Sequence, residues 1–156
     1  VVVLGGGATA SSAIVAAAEL EAKRVILAVR APERARELER VAAAQGIGFE
    51  IRTLDRLLEI DERVDAVIST LPNGAQADIR FDADAIRTAT LLDVGYHPWP
   101  TPLAQSWLGV DVIGGVEMLA LQALAQERIF VNGDPRSILP REDEVLAAML
   151  AVVGLA

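Results

Sequence analysis

The sequence contains no cysteine, one histidine and one lysine. The lack of cysteine excludes a disulfide framework, a zinc–thiolate site and a cysteine nucleophile, and a single histidine excludes a multi-histidine metal site. We therefore expect no bound metal. No apolar run reaches the roughly 20 residues that a membrane-spanning helix needs. The nearest candidate, residues 145–156, is too short, so we expect no association with a membrane.

Aromatic residues and positive charges are also scarce. Aromatic residues make up 4% of the chain and hydrophobic residues 53%, which indicates an aliphatic core of the kind found where helices cover both faces of a sheet. The chain has 14 basic and 22 acidic residues, and its net charge is −8. Binding to nucleic acid needs a basic surface, so we expect no such partner. A length of 156 residues predicts one domain, 1–156.

The first thirty residues read as strand, glycine turn, helix and strand. The turn fits the dinucleotide fingerprint G-x-G-x-x-G/A. It lies between a predicted strand and a predicted helix, which is the position that this fingerprint occupies in dinucleotide-binding folds. Its first glycine permits a sharp turn, and its second lets the backbone approach a pyrophosphate. The helix N-terminus then offers free N–H groups to the phosphates. The predicted dinucleotide-binding residues are Gly5, Gly6, Gly7, Ala8, Thr9 and Ala10.

The residues after the second strand indicate which dinucleotide fits. An NAD site usually has Asp or Glu there to bind the ribose 2′-hydroxyl. Here Arg30 follows the strand directly, and Arg34 lies about one helical turn further on. Guanidinium groups bind a phosphate through paired hydrogen bonds, so we predict NADP as the cofactor. The alternative is that both arginines are ordinary solvated charges, which Glu33 partly offsets.

Strands and helices alternate along the chain. This alternation favours right-handed crossovers. It predicts an α/β fold, a doubly wound and mostly parallel sheet of about six strands with helices on both faces. The predicted strands are 1–4, 24–29, 49–53, 66–69, 90–93 and 110–113. The predicted helices are 8–21, 32–45, 54–58, 103–107, 115–130 and 141–153, and residues 70–82 are predicted to form a loop.

Segments that follow two later strands carry further candidate site residues. Ligands of doubly wound sheets bind beyond the C-terminal strand ends, so the turn that contains Thr70 is either a plain turn or part of the nicotinamide site. After the fifth strand, Tyr96 is a candidate hydrogen-bond donor to a substrate. His97 is either a catalytic acid or an incidental loop residue. Asp93 is either a catalytic carboxylate or, more simply, a cap for the backbone N–H groups of the loop.

A third segment opens the long helix predicted over residues 115–130. Gly115 permits a close approach of the backbone to a cofactor. Gln122, about two turns into the helix, is either a surface residue or a hydrogen-bonding partner of a polar substrate.

Taken together, these segments resemble the C-terminal, NADP-binding domain of shikimate dehydrogenase. The glycine turn, the two arginines and the turn at residues 69–72 are followed by two specific motifs. These are D-x-x-Y-x-P-x-x-T-P-L over residues 93–103 and G-x-x-M-L-x-x-Q over residues 115–122. The resemblance implies a cytoplasmic oxidoreductase that reduces 3-dehydroshikimate to shikimate with NADPH, in the biosynthesis of chorismate and the aromatic amino acids.

The resemblance also implies a role for each candidate residue. The glycine turn would hold the pyrophosphate, and Arg30 and Arg34 would hold the 2′-phosphate. The nicotinamide end would be lined by Thr70, Val94 and Gly115, and the bound shikimate would be contacted by Tyr96 and Gln122.

In this family a substrate domain precedes the cofactor domain and supplies a catalytic Lys/Asp pair as general acid. The only lysine here, Lys23, lies before the second strand, on the wrong side of the sheet. We therefore assign no catalytic residue, and we expect the chain alone to be inactive. Two alternatives stay open: a relative that acts on quinate or another cyclic polyol acid, and a non-catalytic nucleotide-binding module.

The last helix of this family packs toward the substrate domain. The corresponding helix here, about 141–153, carries an apolar stripe that is predicted to cause self-association, and hence a homo-oligomer, or poor solubility. The stripe consists of Val145, Leu146, Met149, Leu150 and Val153.

Overall fold

The structure is a computed structural model that describes residues 1–72, 74–75 and 78–155. Its contacts divide the chain into two compact units, Val1–Ile113 and Gly114–Ala156. The first unit contains most of a β-sheet, and the second contains two long helices.

Six strands form one sheet in the order β3-β2-β1-β4-β5-β6. Every pairing with a defined register is parallel, so that Leu4, for example, lies beside both Ala28 and Ser69. The strand order reverses next to β1, which is the doubly wound arrangement. The predicted α/β class is therefore confirmed. The strands are β1 (Val2–Leu4), β2 (Arg24–Val29), β3 (Gly48–Thr53), β4 (Ala66–Ser69), β5 (Thr90–Asp93) and β6 (Val112–Gly114).

Helices follow most of the strands, as the alternation predicts. The α-helices are α1 (Ala8–Glu19), α2 (Arg36–Gln45), α3 (Ala83–Ile86), α4 (Pro102–Gln105), α5 (Gly115–Asn132) and α6 (Glu142–Val152). Two 3-10 helices lie at Pro32–Arg34 and Leu54–Glu59.

A buried core cluster lies on each face of the sheet. Successive side chains of a strand point to opposite faces, so Leu4 and Val3 of β1 belong to different core clusters. Leu57 of the second 3-10 helix packs in the cluster of Leu4, and Ile14 of α1 packs in that of Val3. Helical segments thus cover both faces, and the strand ends are left to form the loops of the candidate site.

The structure corrects two predicted helices and adds a third that was not predicted. The helix predicted over residues 32–45 is interrupted at Ala35, which is buried in the core and has a ψ of 1°. The helix predicted to end at residue 21 stops two residues earlier, because Glu21 adopts a φ of 60°. Helix α3 is absent from the prediction because it is too short to show a helical period. Its local signal is Asp82, whose carboxylate accepts the N–H groups of Asp84 and Ala85.

Other bounds shift by a few residues, as is usual at element ends. Strand β6 begins at Val112 rather than Val110, and α5 continues to Asn132, where Gly133 with a φ of +75° ends it.

An ion pair joins α5 to α6 in the second unit. Arg128 donates from Nε and Nη2 to the two carboxylate oxygens of Glu142, at 2.8 and 2.5 Å. The Leu139 N–H donates to the same carboxylate at 3.0 Å. The hydrogen bond from Arg128, followed by that from Leu139, lowers the pKa of Glu142 from 4.5 to about 2.

We expect Glu142→Gln to lower the stability of the fold at neutral pH. The stability of the variant should also change less than that of wild type as the pH becomes acidic. A carboxyl group whose folded-state pKa is depressed stabilises the fold above its unfolded pKa, and this contribution is lost as the pH falls. For Glu142 the loss lies between pH 4.5 and about 2. Thermal unfolding followed by circular dichroism should therefore show a higher Tm for wild type than for the variant at neutral pH, and this difference in Tm should disappear as the pH falls through this window.

Asp143→Asn is the matched control, since Asp143 is exposed in the same helical turn. It forms no ion pair with any residue that the structure describes. A difference in Tm between wild type and Glu142→Gln that stays constant from pH 4.5 to about 2 would contradict the lowered pKa of Glu142.

The predicted apolar stripe of α6 is only partly exposed. Val145, Leu146, Met149 and Leu150 are half-buried, and α6 contacts α5, whereas Val153 is 46% exposed. Self-association through this stripe stays a prediction. Among the helices of the described residues, none combines the length and the hydrophobicity needed to cross a membrane.

Candidate dinucleotide-binding site

Gly5 forms the sharp turn after β1. Its φ is +100°, a conformation that L side chains rarely adopt, and a Cβ here would lie 2.5 Å from Thr70 Oγ1. Thr70 Oγ1 in turn donates to the carbonyl of Leu4 at 2.8 Å. The glycine turn and the turn after β4 are therefore packed tightly against each other, at the point where the strand order reverses.

Three predicted site residues begin neighbouring loops along this edge. The backbone N–H groups of Gly5, Thr70 and Val94 donate to carbonyl oxygens at the C-terminal ends of β2, β1 and β4, at 2.9, 2.8 and 3.0 Å respectively. Neighbouring strands lie about 4.8 Å apart, so these residues form a row across the C-terminal strand ends. This is the edge at which doubly wound sheets bind their ligands.

The first turn of α1 is open. Gly7 is the N-cap and provides no side-chain cap, and the first turn contains no acidic residue. Residues 6–9 are exposed, whereas Ala10 is fully buried, as the close packing of helix and strand requires. A Cβ at Gly7 would meet nothing within 4 Å. The positive end of the helix dipole and its free N–H groups therefore face open space, which suits a phosphate.

A cavity of about 250 Å³, the glycine cavity, lies over this turn. It brings the three glycines of the turn and Thr70 into one wall, whereas the other predicted residues Ala8, Thr9, Ala10 and Val94 do not line it. The glycine cavity is lined by Gly5, Gly6, Gly7, Val29, Arg30, Leu54, Thr70, Leu71 and Pro72.

A second cavity of about 590 Å³, the arginine cavity, adjoins the first and shares Gly6, Val29 and Arg30 with it. Arg34 lines it as well. Within the described part of the chain, neither Arg30 nor Arg34 pairs its guanidinium with a carboxylate or another acceptor. The arginine cavity is lined by Gly6, Val29, Arg30, Ala31, Glu33, Arg34 and Ala35.

The two cavities form one groove that runs from the open N-terminus of α1 to Arg30 and Arg34, whose guanidinium groups have no acceptor among the described residues. Both ends of this groove favour negative charge, since the helix dipole acts at one end and the guanidinium groups at the other. The two arginines are brought to the same cavity by the 3-10 helix Pro32–Arg34, which turns the chain back toward the glycine turn.

Asp93 is buried and acts as a cap. Its Oδ1 accepts the N–H of Gly95 at 3.1 Å, and its Oδ2 accepts the hydroxyl of Thr101 at 2.5 Å. Thr101 Oγ1 also accepts the N–H of Ala104 at the start of α4. These contacts match the capping interpretation of Asp93, and they close the proline-rich loop at both of its ends.

We expect Thr101→Val to destabilise the fold by about 2–3 kcal/mol, because it leaves a buried carboxylate oxygen without its donor and removes a helix cap. Thr101→Ser keeps the hydroxyl group and should cost less than about 1 kcal/mol. Urea unfolding of the two variants checks this. Equal losses of stability would show that the hydroxyl contributes little.

Tyr96 and His97 are both exposed in this loop, Tyr96 by 58%. Exposure leaves the Tyr96 hydroxyl accessible to a ligand, and the predicted contact with a substrate stays a prediction.

Gly115 and Gln122 belong to the second unit. Gly115 is the first residue of α5, and the preceding N–H, of Gly114, donates to Glu117 Oε2 at 2.9 Å. Gln122 is exposed two turns further on. Their predicted roles stay predictions.

Lys23 lies away from the groove. It lines a separate cavity of about 730 Å³ at the amino-terminal ends of the strands, together with Arg24 and Glu62. This agrees with the expectation that it lies on the wrong side of the sheet.

The groove residues to which sequence reasoning assigned no role include Ala31, Ala35 and Leu54. Each is a small or aliphatic residue of the kind that fills any core, so no chemical signal marks them. They reach the groove through the break at Ala35 and through the 3-10 helix that follows β3.

No protein-family model matches the chain. The chain is 28% identical over 170 residues to the shikimate dehydrogenase (NADP(+)) of Pyrobaculum aerophilum, covering 99% of this chain and 56% of that protein. The crystal structure of Mycobacterium tuberculosis shikimate dehydrogenase is 31% identical with a TM-score of 0.76, covering 97% and 55% of the two chains. The shikimate 5-dehydrogenase of Mycobacterium fortuitum is 34% identical with a TM-score of 0.78, covering 95% and 54%.

This chain is a homologue of the shikimate dehydrogenases. The resemblance seen in its motifs is thereby confirmed. The chain spans about half the length of these relatives, which are oxidoreductases.

The same fold occurs in quinate dehydrogenase from Corynebacterium glutamicum, solved in complex with NAD. That structure matches with a TM-score of 0.73 at 21% identity. At this identity the match shows the fold alone, so it does not decide between the two substrates or the two cofactors.

Proposed function

We propose that this chain is the cofactor-binding part of an NADP-dependent shikimate dehydrogenase, which interconverts 3-dehydroshikimate and shikimate. The observation that supports NADP most directly is the arginine cavity, in which Arg30 and Arg34 line one surface and neither is paired within the described residues. Homology to shikimate dehydrogenases supports the reaction.

The residues of the groove fit NADP. The space in front of Gly7 would admit a pyrophosphate against the first N–H groups of α1, because among the described residues no atom beyond its two chain neighbours lies within 4 Å of a Cβ built there. A ribose 2′-phosphate would then bind Arg30 and Arg34, whose planar donors match phosphate oxygens. NADPH, when bound, would supply a hydride, and the chain's own residues would orient the cofactor by holding its phosphates and by placing Thr70 along the remaining wall.

The same proposal includes a limit on activity. Reduction of a ketone needs a proton donor at the carbonyl oxygen as well as a hydride. Lys23 lies at the opposite strand ends and Asp93 is committed to two hydrogen bonds, so neither is placed for this role. We therefore propose that these 156 residues bind the cofactor but do not reduce 3-dehydroshikimate when assayed alone.

Calorimetric titration of the chain with NADP⁺ and NAD⁺ in parallel tests the proposal. A clear preference for NADP⁺ is the expected result. Equal affinity for the two would contradict the role of the arginines, and absence of binding to either would contradict the assignment of the groove. NADPH-dependent reduction of 3-dehydroshikimate by this chain would overturn the limit on activity.

A further inference from the structure

Glu33 lies between the two arginines in the sequence and lines the same cavity. It belongs to the short 3-10 helix Pro32–Arg34 and is exposed, as are Arg30 and Arg34. Other glutamates of the first unit, such as Glu50 and Glu59, form ion pairs with arginines. Among the described residues Glu33 forms none, although two arginines line its own cavity. Its carboxylate is therefore available to a ligand that enters the arginine cavity.

We propose that Glu33 is a specificity-determining residue that lowers the preference of this site for NADP over NAD. The inference rests on the proposed function, because it needs a dinucleotide in the groove. It concerns the ratio of two affinities rather than binding itself.

The two cofactors differ at the one group that the arginine cavity would hold. A 2′-phosphate carries a charge of about −1.5 to −2 at neutral pH, so a carboxylate in the same cavity repels it. A 2′-hydroxyl is neutral and can donate a hydrogen bond to a carboxylate, as it does in NAD sites with an acidic residue after the second strand. The same side chain thus opposes one cofactor and favours the other.

The wall around Glu33 does little to mask this charge difference. Apart from the two arginines, the cavity is lined by glycine, alanine and valine, namely Gly6, Val29, Ala31 and Ala35. These side chains offer no hydrogen bond to a ribose or a phosphate. Selection between the cofactors therefore depends on the balance between two positive charges and one negative charge.

The test is the calorimetric titration of Glu33→Gln with NADP⁺ and NAD⁺. Removal of one repulsive charge at a partly solvated site should tighten NADP⁺ binding by about three- to tenfold. Binding of NAD⁺ should stay unchanged or weaken by up to about threefold, since glutamine is a poorer acceptor. High salt should shrink the gain for NADP⁺ because it screens the charges.

Glu39→Gln is the matched control. Glu39 is an exposed glutamate on α2, close in the sequence, and lines neither cavity. Its substitution changes the net charge equally, so a ratio of affinities that rises only in Glu33→Gln identifies a local effect.

If the ratio of the affinities for NADP⁺ and NAD⁺ differs by less than about twofold between wild type and Glu33→Gln, the inference is overturned. If wild type then still prefers NADP⁺, the proposed function stands without it. If wild type binds neither nucleotide, both the proposed function and the inference fail.

Discussion

Arg30→Ala should weaken binding of NADP⁺ by about ten- to a hundredfold and change binding of NAD⁺ much less. A hydrogen bond to a charged group contributes about 1.5–3 kcal/mol, and about 1.4 kcal/mol is a factor of ten in affinity. Arg30 lines both cavities and has no partner within the described chain that would compete for its guanidinium. Its donors are thus available to a phosphate without the loss of an existing ion pair.

Arg36→Ala provides the control. Arg36 is exposed at the start of α2, lies close to Arg34 in the sequence and lines neither cavity. We expect Arg36→Ala to bind both nucleotides as wild type does, and Arg30→Ala combined with Arg34→Ala to lose most of the NADP⁺ preference. Equal losses for NADP⁺ and NAD⁺ in Arg30→Ala would place its contact away from the 2′-phosphate.

Gly5→Ala should destabilise the first unit by about 2–5 kcal/mol, the sum of backbone strain and overpacking. At a φ of +100° any L side chain is strained, and the new Cβ would lie 2.5 Å from Thr70 Oγ1. Relief of this clash requires Thr70 to move, and Thr70 is held by two hydrogen bonds to the Leu4 carbonyl. The substitution should therefore also distort the glycine cavity. Urea unfolding measures the first effect and nucleotide titration the second.

Two glycines separate the causes. Gly46→Ala places a side chain at a position with a φ of +67°, at the end of α2, where the new Cβ would meet nothing within 4 Å. It therefore tests backbone strain alone. Gly7→Ala has no positive φ and no neighbour within 4 Å. It should fold with a change below about 1 kcal/mol yet weaken dinucleotide binding, since its methyl group enters the space before the helix end. A Gly5→Ala variant as stable as Gly46→Ala would contradict the packing of Gly5 against Thr70.

The sequence predicted what depends on nearby residues. Strands buried on both faces show as apolar runs, and sharp strand-to-helix turns show as glycine, because each feature is imposed locally. Strands β1, β2, β4 and β5 and the glycine turn were therefore predictable, and so was the position of Arg30 directly after β2. Strands β3 and β6 are less buried and show this signal more weakly. Capping by Asp93 was predictable for the same reason, because the N–H that its carboxylate accepts belongs to Gly95, only two residues away.

Only the tertiary structure decided which of these features meet. The sequence does not state that β4 pairs with β1, yet this pairing places Thr70 against Gly5 across 65 positions of the chain. It does not show that, within the described residues, Arg30 and Arg34 form no ion pair while Arg24 and Arg52 pair with glutamates. Ion pairing and cavity shape depend on residues distant in sequence, whose approach is set by the order of strands and by the break in the helix at Ala35. Local patterns thus determined the elements of this protein, and long-range packing determined the groove that they form.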